Sequence, residues 1–417
     1  MLYTEIKSCR ICGNRNLVTV LDLGVMALTG VFPTKHENVE AGPLELVKCM
    51  PANGEPSCGL LQMKHNYDLS KLYGDNYGYR SGLNNSMVRH LERIADQVLN
   101  LIDLKKNDLV LDIGSNDGTL LKIYDQKKKG LHLVGIDPTI SKFESYYPDH
   151  IDRHPHFFSS TLFKRIYPNK KAKVVTSIAM FYDLEQPMEF MKEVHDILAD
   201  DGIWIIEQSY MSDMMENTAY DTVCHEHVEY YAFKQIQWMA ERTGFKIVNV
   251  ETNASNGASF RVVFTKSESS IPVDKSVAQF AKSESKKKLD DLETYQKFND
   301  KIKQNKEQIL KFFKTAKKER KTVIGYGAST KGSVILQYCG IDKIDMPCIA
   351  EVNEYKFGRY APGTNIPIIP EEEARKLKPD YFFVLPWHFK EGITKKEQKF
   401  LKSGGHLFFP LPKPEII

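Results

Sequence analysis

Short apolar runs alternate with amphipathic stretches through the middle of the chain. The runs have the length and the β-branched content of strands, and the stretches between them carry apolar residues at helical spacing. This alternation predicts a largely parallel, doubly wound α/β sheet. The predicted strands cover 109–113, 131–136, 174–178, 203–207, 246–250 and 260–264, and the predicted helices lie near 120–124, 189–198 and 233–243.

The pattern changes on both sides of this region. Residues 1–70 are turn-rich and short-stranded, and a helix is predicted over 86–101. Residues 272–320 are rich in Lys and Glu and place apolar residues mostly at three- or four-residue steps, which predicts a long amphipathic helix or a helix pair. Its lysines are interleaved with acids, which favours a solvated face over an anionic partner.

The final segment restarts the α/β pattern. A strand is predicted over 322–326, followed by a glycine-rich turn at 325–332, a helix that begins over 333–338, and strands at 381–385 and 406–409. The pattern therefore predicts four parts: residues 1–70, 71–270, a connecting helix at 271–320, and a second Rossmann-like unit at 321–417.

Length and charge exclude several function classes. A chain of 417 residues predicts two to three domains. The net charge of +3, from 57 basic and 54 acidic residues, gives no support for nucleic-acid binding. No apolar run approaches the ~20 residues that span a bilayer, and the first residues lack the order of a secretion signal. We therefore expect a cytoplasmic protein with no membrane or nucleic-acid partner, while the choice between monomer and homo-oligomer stays open.

Four of the seven cysteines lie near the N-terminus. Cys9 and Cys12 have the spacing of a zinc knuckle, and Cys49 and Cys58 form a wider second pair. Four thiolates make a closed tetrahedral site without an open position for catalysis. We predict a structural Zn²⁺; the alternative is four unrelated buried thiols.

The first predicted strand ends in an acidic glycine turn, Asp-Ile-Gly-Ser-Asn-Asp-Gly at 112–118. Such a turn lies at the carboxyl end of a strand, where open α/β sheets bind cofactors. The acids suit the cationic sulfonium and amino group of S-adenosyl-L-methionine (AdoMet) and would repel a pyrophosphate, which argues against a nicotinamide cofactor. Asp137 closes the next strand and can accept both ribose hydroxyls. The predicted AdoMet-binding residues are Asp112, Gly114, Asn116, Asp117, Gly118 and Asp137.

A polar aromatic segment precedes this unit. Tyr73, Tyr77 and Tyr79 can cover the AdoMet site with a ring face toward the sulfonium, and Tyr77 is included among the predicted cofactor-binding residues. Simple packing between the N-terminal region and the sheet explains the same tyrosines equally well.

A histidine cluster follows the strand at 203–207. Cys224, His225, Glu226 and His227 are consecutive, and in an extended segment the two histidines would point the same way, with Glu226 opposite. Glu229 stands where a zinc protease motif needs a histidine, so that class is excluded. A histidine near its unperturbed pKa suits proton abstraction at neutral pH, which favours a catalytic over a purely structural cluster.

With these residues in view, the chain resembles, nearly end to end, the AdoMet-dependent sugar C-methyltransferases that act on nucleotide-linked 4-keto-deoxysugars. That family combines a zinc-binding domain, a class I methyltransferase domain and a Rossmann-like C-terminal domain. Further matching motifs are Tyr-Arg-Ser-Gly at 79–82, His-Glu-His at 225–227, Asn-Gly-Ala-Ser-Phe-Arg at 256–261, the turn at 325–332 and Gly-Arg-Tyr-Ala-Pro-Gly at 358–363.

The resemblance implies a mechanism. The 4-keto group acidifies C-3, a base removes the C-3 proton, and the enolate attacks the AdoMet methyl group. By its match to the family motif His227 is the base, and Glu226 orients a partner or assists the enolate oxygen. Family members often carry Tyr where this chain has Cys224, so enolate stabilisation passes to another group, with Tyr220 or a tyrosine of 73–79 as candidates. Cys224 is then a spacer, a weak donor or a determinant of pocket size.

The resemblance also implies how substrate is held. The turn at 325–332 cradles the sugar-nucleotide diphosphate, with Arg359 as a phosphate clamp; the alternative is a merely structural second unit. The implied substrate-binding residues are Tyr79, Arg80, Ser81, Asn256, Ser329, Lys331 and Arg359. A sugar O-methyltransferase and a non-catalytic zinc-bearing protein with a degenerate methyltransferase fold stay open as alternative functions.

Overall fold

The computed structural model describes residues 1–35, 37–52, 57–72 and 79–417. The N-terminal region forms a small antiparallel sheet, β2-β3-β4, and a separate two-stranded ladder, β1-β5. Its elements are β1 Tyr3–Glu5, β2 Leu17–Ala27, β3 Ala41–Cys49, β4 Leu61–Met63, β5 His65–Tyr67 and α1 Leu69–Leu72.

The central region is a seven-stranded sheet of order β12-β13-β10-β9-β6-β7-β8. The five strands from β10 to β8 are parallel, and β13 and β12 add antiparallel pairs at one edge. Its elements are α2 Asn85–Leu101, β6 Leu109–Ile113, α3 Thr119–Lys127, β7 His132–Ile136, α4 Ile140–Phe143, β8 Asp152–His154, α5 Ser160–Ile166, β9 Ala172–Ile178, α6 Pro187–Ile197, β10 Leu198–Ser209, α7 Met211–Glu216, β11 Glu229–Tyr230, α8 Phe233–Arg242, β12 Phe245–Asn253 and β13 Ser259–Lys266.

The predicted doubly wound sheet is therefore confirmed, with a strand at each of the six predicted positions. Sequence patterning missed β8, whose three residues are Asp, Arg and His and give no apolar run. It also gave no sign that β11 leaves the central region. This strand pairs antiparallel with β4 and extends the N-terminal sheet.

Two helices follow the central sheet, α9 Lys275–Glu284 and α10 Leu292–Lys318. The helix pair is thus the correct form of the amphipathic prediction. The buried stripe of α10 includes Tyr295, Phe298, Ile302 and Ile309, and the acid Glu284 at the end of α9 accepts hydrogen bonds from the backbone N–H groups that begin α8. Among the described residues, no helix is apolar enough over a sufficient length to cross a membrane.

The C-terminal region is a second α/β unit, with a six-stranded sheet of order β16-β15-β14-β17-β18-β19 that is parallel except for β19. Its elements are β14 Val323–Tyr326, α11 Thr330–Cys339, β15 Ile349–Glu351, β16 Ile368–Pro370, α12 Glu371–Lys376, β17 Tyr381–Val384, α13 Lys390–Lys396, α14 Gln398–Lys402, β18 His406–Phe409 and β19 Glu415–Ile416. The short strands β15 and β16 were not predicted.

One apolar cluster joins the three regions. It contains residues from β2 and β3, from the segment between α7 and α8, from α10, and from the C-terminal sheet. At its edge the Gln337 side chain accepts from the Ala27 N–H and donates to the Ala27 carbonyl. The segment that carries the histidine cluster is therefore enclosed by all three regions.

Candidate active site

The four N-terminal cysteines converge as predicted. Their Sγ atoms all lie within 4.8 Å of one another, with 3.5 Å between Cys9 and Cys58 and between Cys12 and Cys49. Zn–S bonds of ~2.3 Å in a tetrahedron place sulfurs about 3.8 Å apart, so this group fits a structural zinc ion.

The turn after β6 opens the backbone for a ligand through three left-handed residues, Gly114, Asn116 and Gly118, with φ of 78°, 51° and 70°. Asp112 is buried, and burial raises the pKa of its carboxyl to about 7. A buried carboxyl of this kind is stabilised as an anion by a cationic ligand. The turn therefore fits AdoMet, which is cationic at its sulfonium.

Asp137 is tied to this turn rather than exposed beside it. Its Oδ2 accepts the Asn116 N–H at 2.9 Å, and its Oδ1 accepts the Thr139 N–H and hydroxyl, each at 2.6 Å. Asp117 is occupied by neighbouring groups: it accepts the Thr119 hydroxyl at 2.5 Å and the Gly82 N–H at 3.1 Å.

The segment at 79–82 contacts the cofactor turn. Asn116 accepts the Ser81 N–H at 3.0 Å and donates to the Tyr79 carbonyl at 3.2 Å. The Arg80 guanidinium lies 3.6 Å from Asp117 and 4.1 Å over the Tyr146 ring. The resemblance implies Tyr79, Arg80 and Ser81 as substrate ligands. In the structure these three residues contact the turn at 112–118. Tyr73 and Tyr77 fall outside the described residues.

His227 is half-buried, and two contacts fix the orientation of its ring. Its Nδ1 lies 2.9 Å from the Thr222 carbonyl, so Nδ1 donates and Nε2 is the nitrogen that can accept a proton. The Tyr182 ring packs edge-on with 4.3 Å between ring centroids. Burial, with a contribution from the Lys331 ammonium, lowers the pKa of His227 to about 3, so the free protein holds it neutral.

His225 does not share a face with His227, because residues 225 and 226 form a turn rather than a strand. His225 enters the N-terminal region, where its Nδ1 lies 3.1 Å from the Thr29 hydroxyl and its Nε2 3.3 Å from the Gly42 carbonyl. The Tyr67 ring packs against it at 4.8 Å. These contacts make His225 part of the packing that holds the segment in place.

Glu226 occupies space that a missing side chain leaves open. A Cβ atom on Gly30 would lie 1.9 Å from Glu226 Oε1, so a side chain at position 30 would displace the Glu226 carboxyl. Burial raises the pKa of Glu226, which therefore favours a protonated carboxyl, and its Oε2 has no hydrogen-bond partner among the described residues. Cys224 is also fully buried, and burial raises the pKa of its thiol.

The C-terminal region contributes groups to the same interior. Asp221 is buried and accepts from the Trp387 indole N–H at 2.7 Å. Trp387 and His388 both lie 3.4–3.6 Å from the position of a Cβ on Gly257. Burial, together with the Lys331 ammonium, lowers the pKa of His388 to about 3. Asp221, Trp387 and His388 were not predicted from the sequence; the signal available for the last two was their position just after an apolar strand, β17.

The remaining predicted residues are placed as follows. Ser329 caps α11 by accepting the Gly332 N–H at 3.0 Å, and Arg359 donates to the Phe32 and Tyr355 carbonyls, each at 2.9 Å. The Tyr220 hydroxyl lies 3.3 Å from Asn305 and 3.8 Å from Cys339, so Tyr220 does not reach the His227 side of the segment. Asn256 belongs to a short 3-10 turn at Ser255–Gly257, and its side chain lies outside the description.

Three family models match the chain in succession. A "Putative zinc binding domain" matches residues 9–73, a "Methyltransferase domain" matches 87–250, and a "C-methyltransferase C-terminal domain" matches 254–412. C-methyltransferase NovU of Streptomyces niveus is 28% identical over 416 residues, which cover 99% of this chain and 97% of that protein.

Solved methyltransferases align with less than half of the chain. The plantazolicin methyltransferase BpumL, in complex with SAH, is 13% identical, covers 45% of this chain and 87% of its own, and has a TM-score of 0.36. The CcbJ methyltransferase from Streptomyces caelestis is 12% identical, covers 42% and 89%, and has a TM-score of 0.34. From the three matched domains, the full-length relative and the acidic turn, the chain is an AdoMet-dependent methyltransferase with an N-terminal zinc-binding domain and the C-terminal domain of a C-methyltransferase.

Proposed function

We propose that this protein methylates C-3 of a nucleotide-linked 4-keto-deoxysugar, as part of surface polysaccharide or glycoside biosynthesis in the cytoplasm. The observation that carries the proposal is the fixed His227 imidazole. Its Nδ1 is committed to the Thr222 carbonyl at 2.9 Å, so Nε2 is left to take a proton. A methyl transfer to carbon needs such a base, because a carbon beside a ketone must lose a proton before it becomes nucleophilic.

His227 removes the C-3 proton at Nε2, and the electron pair of the C–H bond passes through the ketone to its oxygen. The Thr222 carbonyl holds the ring throughout and stabilises the imidazolium through Nδ1–H. When bound, AdoMet supplies an electrophilic methyl group on a sulfonium. Burial raises the pKa of Glu226, and this buried carboxyl is proposed to assist at the enolate oxygen.

The low pKa of His227 has a consequence for this step. In the free protein the imidazole is neutral, which leaves it ready as a base but weak, because burial and, to a lesser extent, the Lys331 ammonium disfavour the protonated form. A substrate that carries a diphosphate and develops an enolate brings negative charge into the same interior. The bound substrate therefore raises the pKa of His227, so that the imidazole is a stronger base in the complex than in the free protein.

Basic side chains that pack on aromatic rings are proposed to supply the opposite charge for such a substrate. Arg80 lies 4.1 Å over the Tyr146 ring, Lys142 lies 5.7 Å over the Tyr355 ring of the C-terminal region, and Lys356 lies 4.4 Å over the Phe32 ring. We assign diphosphate binding to the turn at 325–332 and the N-terminal amides of α11. Asn256, Ser329 and Arg359 are proposed as neighbouring substrate contacts, and the division at 1–70, 71–270, 271–320 and 321–417 is proposed as the domain organisation.

The test is mass spectrometry of TDP-, GDP- and CDP-linked 4-keto-6-deoxysugars incubated with the protein and AdoMet in deuterated water. We expect one substrate to gain a methyl group on carbon, with deuterium wash-in into the unmethylated substrate confined to C-3. His227→Asn should abolish methylation and wash-in while AdoMet still binds. The same substitution at His150, which is 61% exposed, is the matched control and should leave both unchanged.

Two results would contradict the proposal. Full activity in His227→Asn removes that residue as the base. Methylation of a 4-hydroxy sugar nucleotide, with no ketone accepted, identifies a sugar O-methyltransferase instead.

A further inference from the structure

Unsatisfied polar atoms gather around the His227 segment. Oδ1 of Asp221, Nδ1 of His388 and Oε2 of Glu226 are buried without a hydrogen-bond partner among the described residues. Buried polar atoms in folded proteins are nearly always paired, so three such atoms in one interior indicate a place for a polar ligand. Lys331 lies close to these atoms, because it stands in the first turn of α11, which packs against the turn Tyr220–Thr222. In keeping with that position, its ammonium contributes to the pKa shifts of His227, Asp221 and His388.

The fold explains why Lys331 and His227 meet. Lys331 lies in the first turn of α11, whose N-terminus is fixed by the Ser329 cap. This helix packs against the turn Tyr220–Thr222, and the Thr222 carbonyl of that turn holds the His227 ring. One short turn thus positions both the imidazole and the helix that carries the ammonium.

Asp221 is the buried carboxyl group of this arrangement. It is completely buried, and its Oδ2 accepts from the Trp387 indole at 2.7 Å. An isolated buried carboxylate is costly, and a nearby ammonium offsets that cost. Trp387 therefore orients Asp221, and the Asp221 carboxyl positions the Lys331 side chain by charge attraction, so Asp221 is a positioning residue.

We propose that Lys331 donates a hydrogen bond to the C-4 ketone oxygen of the substrate and stabilises the enolate charge. The inference rests on the proposed function. As His227 breaks the C-3–H bond, that electron pair forms the C-3–C-4 double bond, and the carbonyl π pair moves to the oxygen beside the ammonium. When C-3 accepts the methyl group the carbonyl re-forms, so Lys331 keeps its proton throughout.

Lys331 fits this role better than the other groups nearby. Tyr220, a candidate from the sequence, lies against Asn305 and Cys339. Cys224 is a weak donor, and His388, whose pKa burial lowers to about 3, carries no positive charge. Glu226 is a carboxyl group and offers no positive charge in either protonation state. A preorganised cation aimed at the developing charge is the stronger stabiliser.

The experiment compares wild type, Lys331→Met and Lys331→Arg. Wash-in of deuterium at C-3 is measured in deuterated water at saturating 4-keto sugar nucleotide, with S-adenosylhomocysteine in place of AdoMet. Titrations with TDP, GDP and CDP measure diphosphate binding, and an AdoMet titration confirms folding. We expect Lys331→Met to lose wash-in by ~10²- to 10³-fold with both affinities unchanged. Lys331→Arg should retain part of the wash-in.

Two outcomes would overturn the inference, and they are distinguishable. If wild type shows no wash-in on any ketone, the proposed function fails and this inference fails with it. If wild type exchanges C-3 and Lys331→Met does so at the same saturating rate while its nucleoside diphosphate affinity falls, the proposed function stands and Lys331 is a diphosphate ligand. Asp221→Asn should lower wash-in with unchanged diphosphate affinity, as expected of a residue that acts through Lys331.

Discussion

Both α/β sheets place an acid at the end of one strand, where it accepts a backbone N–H from the glycine turn of the neighbouring strand. In the central sheet Asp137 accepts from Asn116 at 2.9 Å, and in the C-terminal sheet Glu351 accepts from Ala328 at 2.8 Å. The second oxygen of each acid binds backbone N–H groups just beyond its own strand. The two turns are therefore built in the same way.

The side chains around the two turns differ in charge. Burial raises the pKa of both Asp112 and Asp137 in the central turn. Beside Glu351, the Lys356 ammonium donates to the Ala328 carbonyl at 2.8 Å, and Lys331 begins the helix that follows the turn. The two turns thus share a backbone plan, whereas buried carboxyls stand beside the central turn and lysines beside the C-terminal turn. This difference supports the proposal that the first binds AdoMet and the second a sugar-nucleotide diphosphate.

The largest expected effect, on ligand affinity, comes from replacing Asp137 and Glu351 separately. Asp137→Ala leaves the Asn116 N–H without its acceptor and should lower the affinity for AdoMet ~10- to 100-fold. This loss corresponds to the about 1.5–3 kcal/mol that a hydrogen bond to a charged group contributes. Glu351→Ala should lower the affinity for the sugar nucleotide to a similar extent. Each variant should leave the other ligand's affinity unchanged, as measured by calorimetric titration of both ligands. A variant that weakens both ligands equally would break the comparison.

A smaller effect for each pH unit, about tenfold at most, concerns the pH dependence of AdoMet binding at Asp112. Its folded pKa of about 7 lies above the ordinary value of 3.8, so the ligand-free protein loses stability as pH rises from 4 through 7. AdoMet favours the ionised carboxylate, so AdoMet affinity should rise over the same range, reach a plateau above pH 7, and be accompanied by proton release. Calorimetry in buffers of different ionisation enthalpy measures that release. Asp112→Asn should remove this pH dependence, and an unchanged profile would show that another group titrates.

The same comparison shows what the sequence could and could not predict. The strands flanking Asp112 and the helix starts were predictable, because apolar runs and periodicity are local properties. The four-cysteine cluster was predictable from spacing and residue type. The orientation of His225 was not, because it depends on contacts with Thr29 and Gly42 in a distant part of the chain. Asp221 and His388 were missed for the same reason, since each acquires its partners only when the three regions pack together.

Glycines in the two turns provide a third test, of stability. A Cβ on Gly118 would lie 2.7 Å from the Tyr147 ring at a φ of 70°, and a Cβ on Gly332 would lie 2.7 Å from Leu385 and 2.9 Å from Ser329 Oγ. Overpacking of this kind costs about 1–3 kcal/mol, so both alanine variants should unfold at lower denaturant concentration. Gly118→Ala should also weaken AdoMet binding, and Gly332→Ala should weaken sugar-nucleotide binding. Wild-type stability in either variant would show that its turn can adjust.

The smallest effect should have the opposite sign. Gly392 lies inside α13 of the C-terminal region, and nothing lies within 4 Å of the position of a Cβ there. Gly392→Ala should therefore stabilise the protein by about 0.5–1 kcal/mol, because alanine loses less backbone entropy in a helix than glycine does. Chemical denaturation of Gly392→Ala and Gly332→Ala compares the same substitution at two positions of the C-terminal region. Opposite signs would show that the turn requires glycine at 332, whereas destabilisation by both would mean that the region as a whole tolerates no added side chain.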